Sequence, residues 1–117
     1  MAAKDELGQR GERIAERHLV ARGLTVIDRN WRCPQGEIDL VLRDGDETVF
    51  VEVKTRTSVA YGHPLEAITV AKLARLRRLA LAWCEAHPGA GAIRIDAVAV
   101  VAPRRAPATV EHLEGVF

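Results

Sequence analysis

Cysteine is scarce in this chain of 117 residues: there are two, Cys33 and Cys84. They form no C-x-x-C pair and lie near no histidine cluster, so no zinc site is indicated, and nothing argues for a disulfide. Cys84 falls in a helical pattern, where a thiol serves as core filler. Net charge is also nearly absent, at +1 from 17 Lys+Arg and 16 Asp+Glu, so overall charge does not select a partner. No apolar run approaches the ~18 residues of a membrane span. The N-terminus carries no apolar signal region. By these signals the protein is neither secreted nor membrane-spanning, and a cytoplasmic location is expected. Internal repeats and low-complexity linkers are missing as well.

What is present is globular: 48% hydrophobic and 28% charged residues, enough for one core but not two. A single domain over 1–117 is expected. Charge is uneven locally. Between Val70 and Ala86, Lys72, Arg75, Arg77 and Arg78 face Glu85 alone. The first third is arginine-rich but diluted by Asp5, Glu6, Glu12, Glu16 and Asp28. Such faces suit a modest anionic partner, although solvated helix surface accounts for the charges by themselves.

Leu7, Gly11, Ile14, Ala15, His18 and Leu19 recur at helical spacing and predict a helix from about Asp5 to Arg22, stopped by Gly23. Gly8 and Gly11 weaken it by propensity, which suggests a close backbone contact or a frayed first turn. Strands are predicted at Leu24–Trp31, Gly36–Arg43 and Thr48–Thr55. Asp44-Gly45-Asp46-Glu47 joins the last two as hairpin punctuation. After a loop and a short turn at Leu65–Ile68, Thr69 caps a long helix running to about His87 and ended by Pro88-Gly89. Ile93–Val101 is a strand, and Val110–Leu113 a short edge strand. The order α-β-β-β-α-β-β predicts an α/β fold, a mixed sheet of about five strands flanked by two main helices. The third-to-fourth strand connection is long enough for a parallel crossover.

The hairpin permits a register argument. If Ile38, Leu40 and Leu42 share a face, and Val49, Val51 and Val53 another, burying both sets together requires paired numbers with an odd sum. A two-residue loop at Gly45-Asp46, or a four-residue loop, puts Asp39 opposite Glu52. A loop at Asp44-Gly45 puts Glu37 there, with Asp39 diagonal. In each case Glu37, Asp39, Glu52 and Lys54 share one face with Val41 and Phe50, and at least two carboxylates lie within ~5–8 Å at Cβ. Opposed carboxylates on a sheet repel. A divalent cation would turn that repulsion into coordination, with Lys54 neutralising the pair or positioning a water. The plain alternative is a salt bridge from Lys54 to Asp39 or Glu52, and Glu-x-Lys alone is a weak motif. Glu12 lies at the edge of the first helix's apolar stripe. It has no cation three or four residues away, and on spacing alone it reads as an ordinary surface acid.

Gly11-Glu12, Arg29-Asn30-Trp31-Arg32, Gly36-Glu37-Ile38-Asp39-Leu40, Val49-Phe50-Val51-Glu52-Val53-Lys54-Thr55-Arg56, Tyr61-Gly62, Pro64-Leu65-Glu66-Ala67, Lys72 and Arg94-Ile95-Asp96 closely resemble the YraN family of small bacterial proteins. The resemblance spans nearly the whole chain. That family is in turn similar to archaeal Holliday junction resolvases and the restriction-endonuclease-like superfamily. The resemblance therefore implies a three-layer nuclease-like core. Glu12 matches the helix acid of the PD-(D/E)-x-K pattern, Asp39 its Asp, and Glu52 and Lys54 its second half. Ile38 stands where that pattern has proline, and Glu37 is an extra acid.

The implied activity is Mg²⁺-dependent (or Mn²⁺-dependent) phosphodiester hydrolysis in DNA. Asp39, Glu52 and the Val53 carbonyl would hold the metal, with Glu12 as a further ligand, directly or through water, and Lys54 would orient the attacking water or steady charge on the phosphate. Lys72, central in the long helix's stripe with Leu76, Leu79 and Trp83, would point at phosphate or simply snorkel. Arg56, Arg75 and Arg78 are candidate backbone contacts. Three readings compete: a structure-selective endonuclease, a nucleic-acid-binding module working with a protein partner, and a structural protein whose acids are all paired by arginines. A homodimer would suit a symmetric junction.

Overall fold

A computed structural model describes residues 5–117; the expected domain extends beyond it at residues 1–4, which lie outside the described residues. The elements in order are α1 (Glu6–Ala21), β1 (Thr25–Cys33), β2 (Gly36–Asp44), β3 (Glu47–Arg56), a one-turn 3-10 helix (Pro64–Ala67), α2 (Val70–Ala86), β4 (Ala92–Val101) and β5 (Thr109–Leu113). The α/β architecture is as expected: a five-stranded mixed sheet in the order β1-β2-β3-β4-β5. Only β3 and β4 are parallel, and α2 makes the crossover that parallel neighbours require.

Local chemistry sets the helix ends. The Asp5 carboxylate accepts from the Gly8 N–H at 2.6 Å, and the Thr69 hydroxyl from the Lys72 N–H at 3.2 Å, each satisfying an orphan first-turn donor. Gly23, at φ +100°, ends α1 in a conformation that suits glycine. Helices cover both faces of the sheet. On one, Ala15 and Leu19 of α1 pack on Leu40, Leu42, Val49, Val51, Val98 and Val100. On the other, Leu73, Leu76, Leu79 and Trp83 of α2 pack on Ile38, Val41, Phe50 and Ile95. Phe50 meets Trp83 edge-on at 5.6 Å. Among the described residues no helix is long and apolar enough to cross a membrane.

Gly11 is the close contact that the two α1 glycines suggested. A Cβ there would lie 1.7 Å from the Thr55 hydroxyl oxygen, so the helix backbone rides directly on β3. Gly11→Ala should therefore destabilise by about 2 kcal/mol through overpacking, although alanine gains about 1 kcal/mol over glycine in a helix. Thermal melts check the sign. Thr55→Ala in the same chain should recover part of the loss, and a raised Tm for Gly11→Ala alone would contradict the contact.

One expectation about the faces is corrected. Ile38, Leu40 and Leu42 do not share a side: Ile38 packs with Val41 under α2, while Leu40 and Leu42 face α1. The alternation breaks between Ile38 and Leu40, at Asp39. The β1–β2 pairs step from Arg29↔Leu40 to Trp31↔Ile38, and the rung between them is Asn30 against Asp39. Asn30 has φ +49°, a left-handed turn of backbone that asparagine tolerates better than most residues. With a helix on each face, an apolar Ile38 is buried on either side, so the bend incurs no exposure penalty.

Candidate functional site

The β2–β3 hairpin turns at Gly45-Asp46, closed by Asp44↔Glu47, and the register runs to Leu40↔Val51. This is the two-residue loop that sets Asp39 level with Glu52. The backbone ladder stops there. The next donor on this edge of β3, the Val53 N–H, goes to the Asp39 carboxylate at 3.3 Å. N–H and C=O of one strand residue address the same neighbour in an antiparallel ladder. The Val53 carbonyl therefore points into the same opening as Asp39.

A cavity of about 350 Å³ lies at this opening, lined by both hairpin strands, both helices and the end of the 3-10 turn at Ala67 and Ile68. Glu37 and Asp39 come from β2, and Glu52, Val53 and Lys54 from β3. Glu12 comes from α1, and Lys72, Arg75, Leu76 and Leu79 from α2. Asp39 and Glu12 also line a second cavity of about 390 Å³, with Gln9, Glu16 and Arg29, so they stand at the junction of the two. Strand alternation carries Glu52 and Lys54 to the α2 side.

Glu12 is not an ordinary surface acid. It is half-buried and accepts from the Asn30 side-chain amide at 3.2 Å. The bend at Asn30 thus serves two purposes: it breaks the β1–β2 pleat beside Asp39 and anchors the α1 acid over the break. Asn30 is the residue beside the candidate site to which sequence reasoning gave no role. Its signal was an asparagine inside a strand pattern, where that residue is depleted. One turn further along α1, Glu16 receives two hydrogen bonds from the Arg29 guanidinium, at 2.6 and 2.9 Å. Those bonds hold its carboxyl below the usual carboxylate range and pin α1 to β1.

Glu37 takes the Arg32 guanidinium at 2.9 Å, directly across the β1–β2 register. Among the described residues Lys54 is in no ion pair, so the salt bridge of a plain solvated sheet is not formed. Lys72 lines the cavity but is exposed rather than central in the buried stripe, because the buried line of α2 is Leu73, Leu76, Leu79, Ala80 and Trp83. Its ammonium donates to the Ala67 carbonyl at 2.9 Å. Arg75 lies over Gly36, where a Cβ would come within 2.5 Å of its Nη2, and so it borders the cavity's entrance. Arg78 and Arg56 are not among this cavity's lining residues. Arg56 sits at the end of β3 beside a smaller cleft.

The donors gathered here are hard oxygens, the type taken by Mg²⁺ and Mn²⁺. Among the described residues no three acidic, histidine or cysteine side chains form a ready-made metal cage. A lining of oxygen donors with no cysteine or histidine is not the donor set of a zinc site.

Comparison with known proteins agrees with the motifs. A model of the uncharacterised protein family UPF0102 matches residues 11–100. A UPF0102 protein of Beutenbergia cavernae is 61% identical over 117 residues, covering 99% of each chain. One from Kineococcus radiotolerans is 60% identical, covering 97% of this chain and 95% of its own. One from Frankia alni is 52% identical, covering 100% and 98%. The matched segment contains Glu12, Asn30, Asp39, Glu52 and Lys54, and the likeness extends over the full length: the chain belongs to the UPF0102, or YraN-like, family.

Proposed function

We propose that this protein is a metal-dependent nuclease that hydrolyses phosphodiester bonds in DNA, acting selectively on branched forms. The observation that carries the reading is the opened rung of the hairpin. Asp39 leaves the pleat to take the Val53 N–H, and one cavity collects Glu12, Asp39, Glu52 and Lys54 with Lys72 and Arg75. The resemblance of the same residues to the PD-(D/E)-x-K pattern of junction resolvases supports the substrate.

Asp39, Glu52 and the Val53 carbonyl would hold Mg²⁺ or Mn²⁺, with Glu12 as a further ligand through water. Such an ion, when bound, acidifies a water and polarises a phosphoryl oxygen. Lys54 would orient the attacking water and offset charge growing on the phosphate. Lys72 and Arg75 would hold the substrate backbone on the α2 side. Asn30 would act as a positioning residue through Glu12.

A second reading, a weakly catalytic binding module acting with a protein partner, is favoured by the net charge of +1 and the lack of a ready-made cage among the described residues. Incubation with linear, flapped and branched DNA in Mg²⁺ or Mn²⁺ separates the two. Cleavage that requires metal supports the nuclease; binding without any cleavage sinks it. Metal should also raise the melting point, by about 2.7 kcal/mol of stability at a hundred times its Kd. A Tm indifferent to millimolar Mg²⁺ and Mn²⁺ would count against the proposed ligands.

A further inference from the structure

Beyond Lys54, β3 runs on into a second, smaller cleft of about 180 Å³, lined by Leu7, Thr55, Arg56, Thr57, Ser58 and Tyr61. Its chemistry differs from that of the acidic cavity. It offers a guanidinium and the Thr57 and Ser58 hydroxyls, with no carboxylate among its lining residues. The Arg56 Nε is buried and, among the described residues, has no hydrogen-bond partner. Arg56 is the one cation among the cleft's lining residues, and a guanidinium is a natural partner for a phosphate oxyanion.

Beside the cleft stands Tyr61, 95% exposed, an unusual placement for the chain's one tyrosine. The turn that presents it is well tied. The Gly62 N–H donates to the Val59 carbonyl at 3.0 Å, and the Ala60 N–H to the Ser58 hydroxyl at 3.3 Å. His63 and Glu66 form a reciprocal cap immediately after it. Gly62 adopts φ +113°, and a Cβ there would meet the Glu66 carboxylate at 2.6 Å, so the turn closes directly onto that cap. The ring is therefore held out to solvent by an ordered segment.

We infer that this cleft is a nucleic-acid subsite: Arg56 with the Thr57 and Ser58 hydroxyls takes a backbone phosphate, and the Tyr61 ring stacks on an adjacent unpaired base. The inference rests on the nuclease reading for the placement of the scissile phosphate, and it supplies that reading's substrate with a single-stranded flank. Alternation puts Arg56 in line with Glu52 and Lys54 along β3. Two residues of strand advance about 7 Å. A strand tracking β3 would thus meet the acidic cavity and then the cleft. Stacking on an exposed aromatic is tolerant of sequence, because every base has a π-face. Val59, 56% exposed, would extend the apolar contact.

Binding of fluorescein-labelled oligothymidylate, followed by anisotropy in EDTA, tests the subsite without cleavage. Tyr61→Ala should weaken binding about tenfold and Tyr61→Phe hardly at all. Arg56→Gln should weaken binding and flatten the salt dependence by about 0.7 in log–log slope. On an abasic strand of the same length the Tyr61→Ala effect should vanish while the Arg56→Gln effect remains. Tyr61 is so exposed that its variants should melt as the wild type does. A melt of Arg56→Gln, with Arg56→Lys beside it, separates lost folding from lost binding.

Wild-type affinity in Tyr61→Ala, an equal Tyr61→Ala loss on the abasic strand, or no binding by the wild type would each overturn the subsite. So would a change confined to self-association, which would make the turn a protein-docking surface. Cleavage in Mg²⁺ is scored separately. Binding that depends on Tyr61 without cleavage sinks the nuclease and spares the subsite; cleavage with no dependence on Tyr61 does the reverse.

Discussion

Asp39→Ala should reduce Mg²⁺-dependent cleavage about a thousandfold or more, and Lys54→Ala about 10²–10⁴-fold, for different reasons. Asp39 is the acid that the open rung delivers to Val53, and it borders both cavities. Removing a carboxylate that holds the ion forfeits several kcal/mol of charge stabilisation, at 1.36 kcal/mol per decade of rate. In the proposed site Lys54 would act on the water and phosphate, and about 10²–10⁴-fold is the range typical of a positioned proton-handling group. The two variants should therefore split by metal dependence. Asp39→Ala should raise the Mg²⁺ concentration needed for half-maximal cleavage, and Lys54→Ala should lower the rate with that concentration unchanged. Folding provides the control. The Val53 hydrogen bond lost with Asp39 is worth about 1 kcal/mol, and relief of carboxylate repulsion offsets part of it. The metal-free melting point should hardly move, while the metal-induced rise should disappear. Cleavage that survives in both variants would place the chemistry elsewhere.

The legible and illegible parts of this site differ physically. Valines and leucines at a period of two limited the hairpin to a few registers that share one acidic face, and the Gly45-Asp46 turn of the structure selects the one with Asp39 level with Glu52. Thr69 and Pro88 likewise bracket α2 closely, because caps and breakers act within a few residues. The bend at Asn30 and Asp39 is of another kind. Ile38 is apolar and is buried on whichever face it takes, since each face of the sheet carries a helix; only an amphipathic sheet reveals which way a residue points. The partnership of Asn30 with Glu12 joins residues 18 apart through a left-handed backbone turn, which no periodicity encodes. Family resemblance singled out Glu12 where spacing could not. Lys72 shows the opposite error. Its place in the helical pattern suggested a central position, but the stripe is rotated toward Leu73 and Ala80, leaving Lys72 at the cavity wall.

Asp96→Ala should be the most destabilising of these substitutions, at about 3–5 kcal/mol. Asp96 lies in β4 with its side chain fully buried; as sequence it stood in a clear strand and in the Arg94-Ile95-Asp96 motif, with no role assigned to it. It accepts two hydrogen bonds from Arg94, at 2.9 and 3.0 Å, one from the Gly115 N–H at 3.0 Å, and faces His112 Nε2 at 2.7 Å. The His112 side chain is itself fully buried and that of Arg94 only 13% exposed. The Asp96 hydrogen bonds, more than any other contact, raise the Arg94 pKa further above its usual value. Removing the carboxylate leaves the Arg94 Nε and Nη2, the Gly115 N–H and the buried His112 without their shared partner, while only the Arg94 Nη1 keeps its acids, Asp44 and Glu47. At about 4 °C per kcal/mol for a domain of this size, Tm should fall by about 12–20 °C. Arg94→Met combined with Asp96→Leu should cost far less than Asp96→Ala alone, because a buried pair exchanged whole for apolar groups leaves no charge behind. A loss under about 1 kcal/mol for Asp96→Ala would show that water reaches the pair. Arg94 also reaches Asp44 and Glu47 at 2.8 and 3.1 Å, the two residues that close the hairpin turn. It therefore clamps the end of the hairpin from which the register to Asp39 is counted. If the clamp sets that register, the doubly substituted protein should fold but cleave more slowly than the wild type. If the valine and leucine pairs set it unaided, its cleavage rate should match.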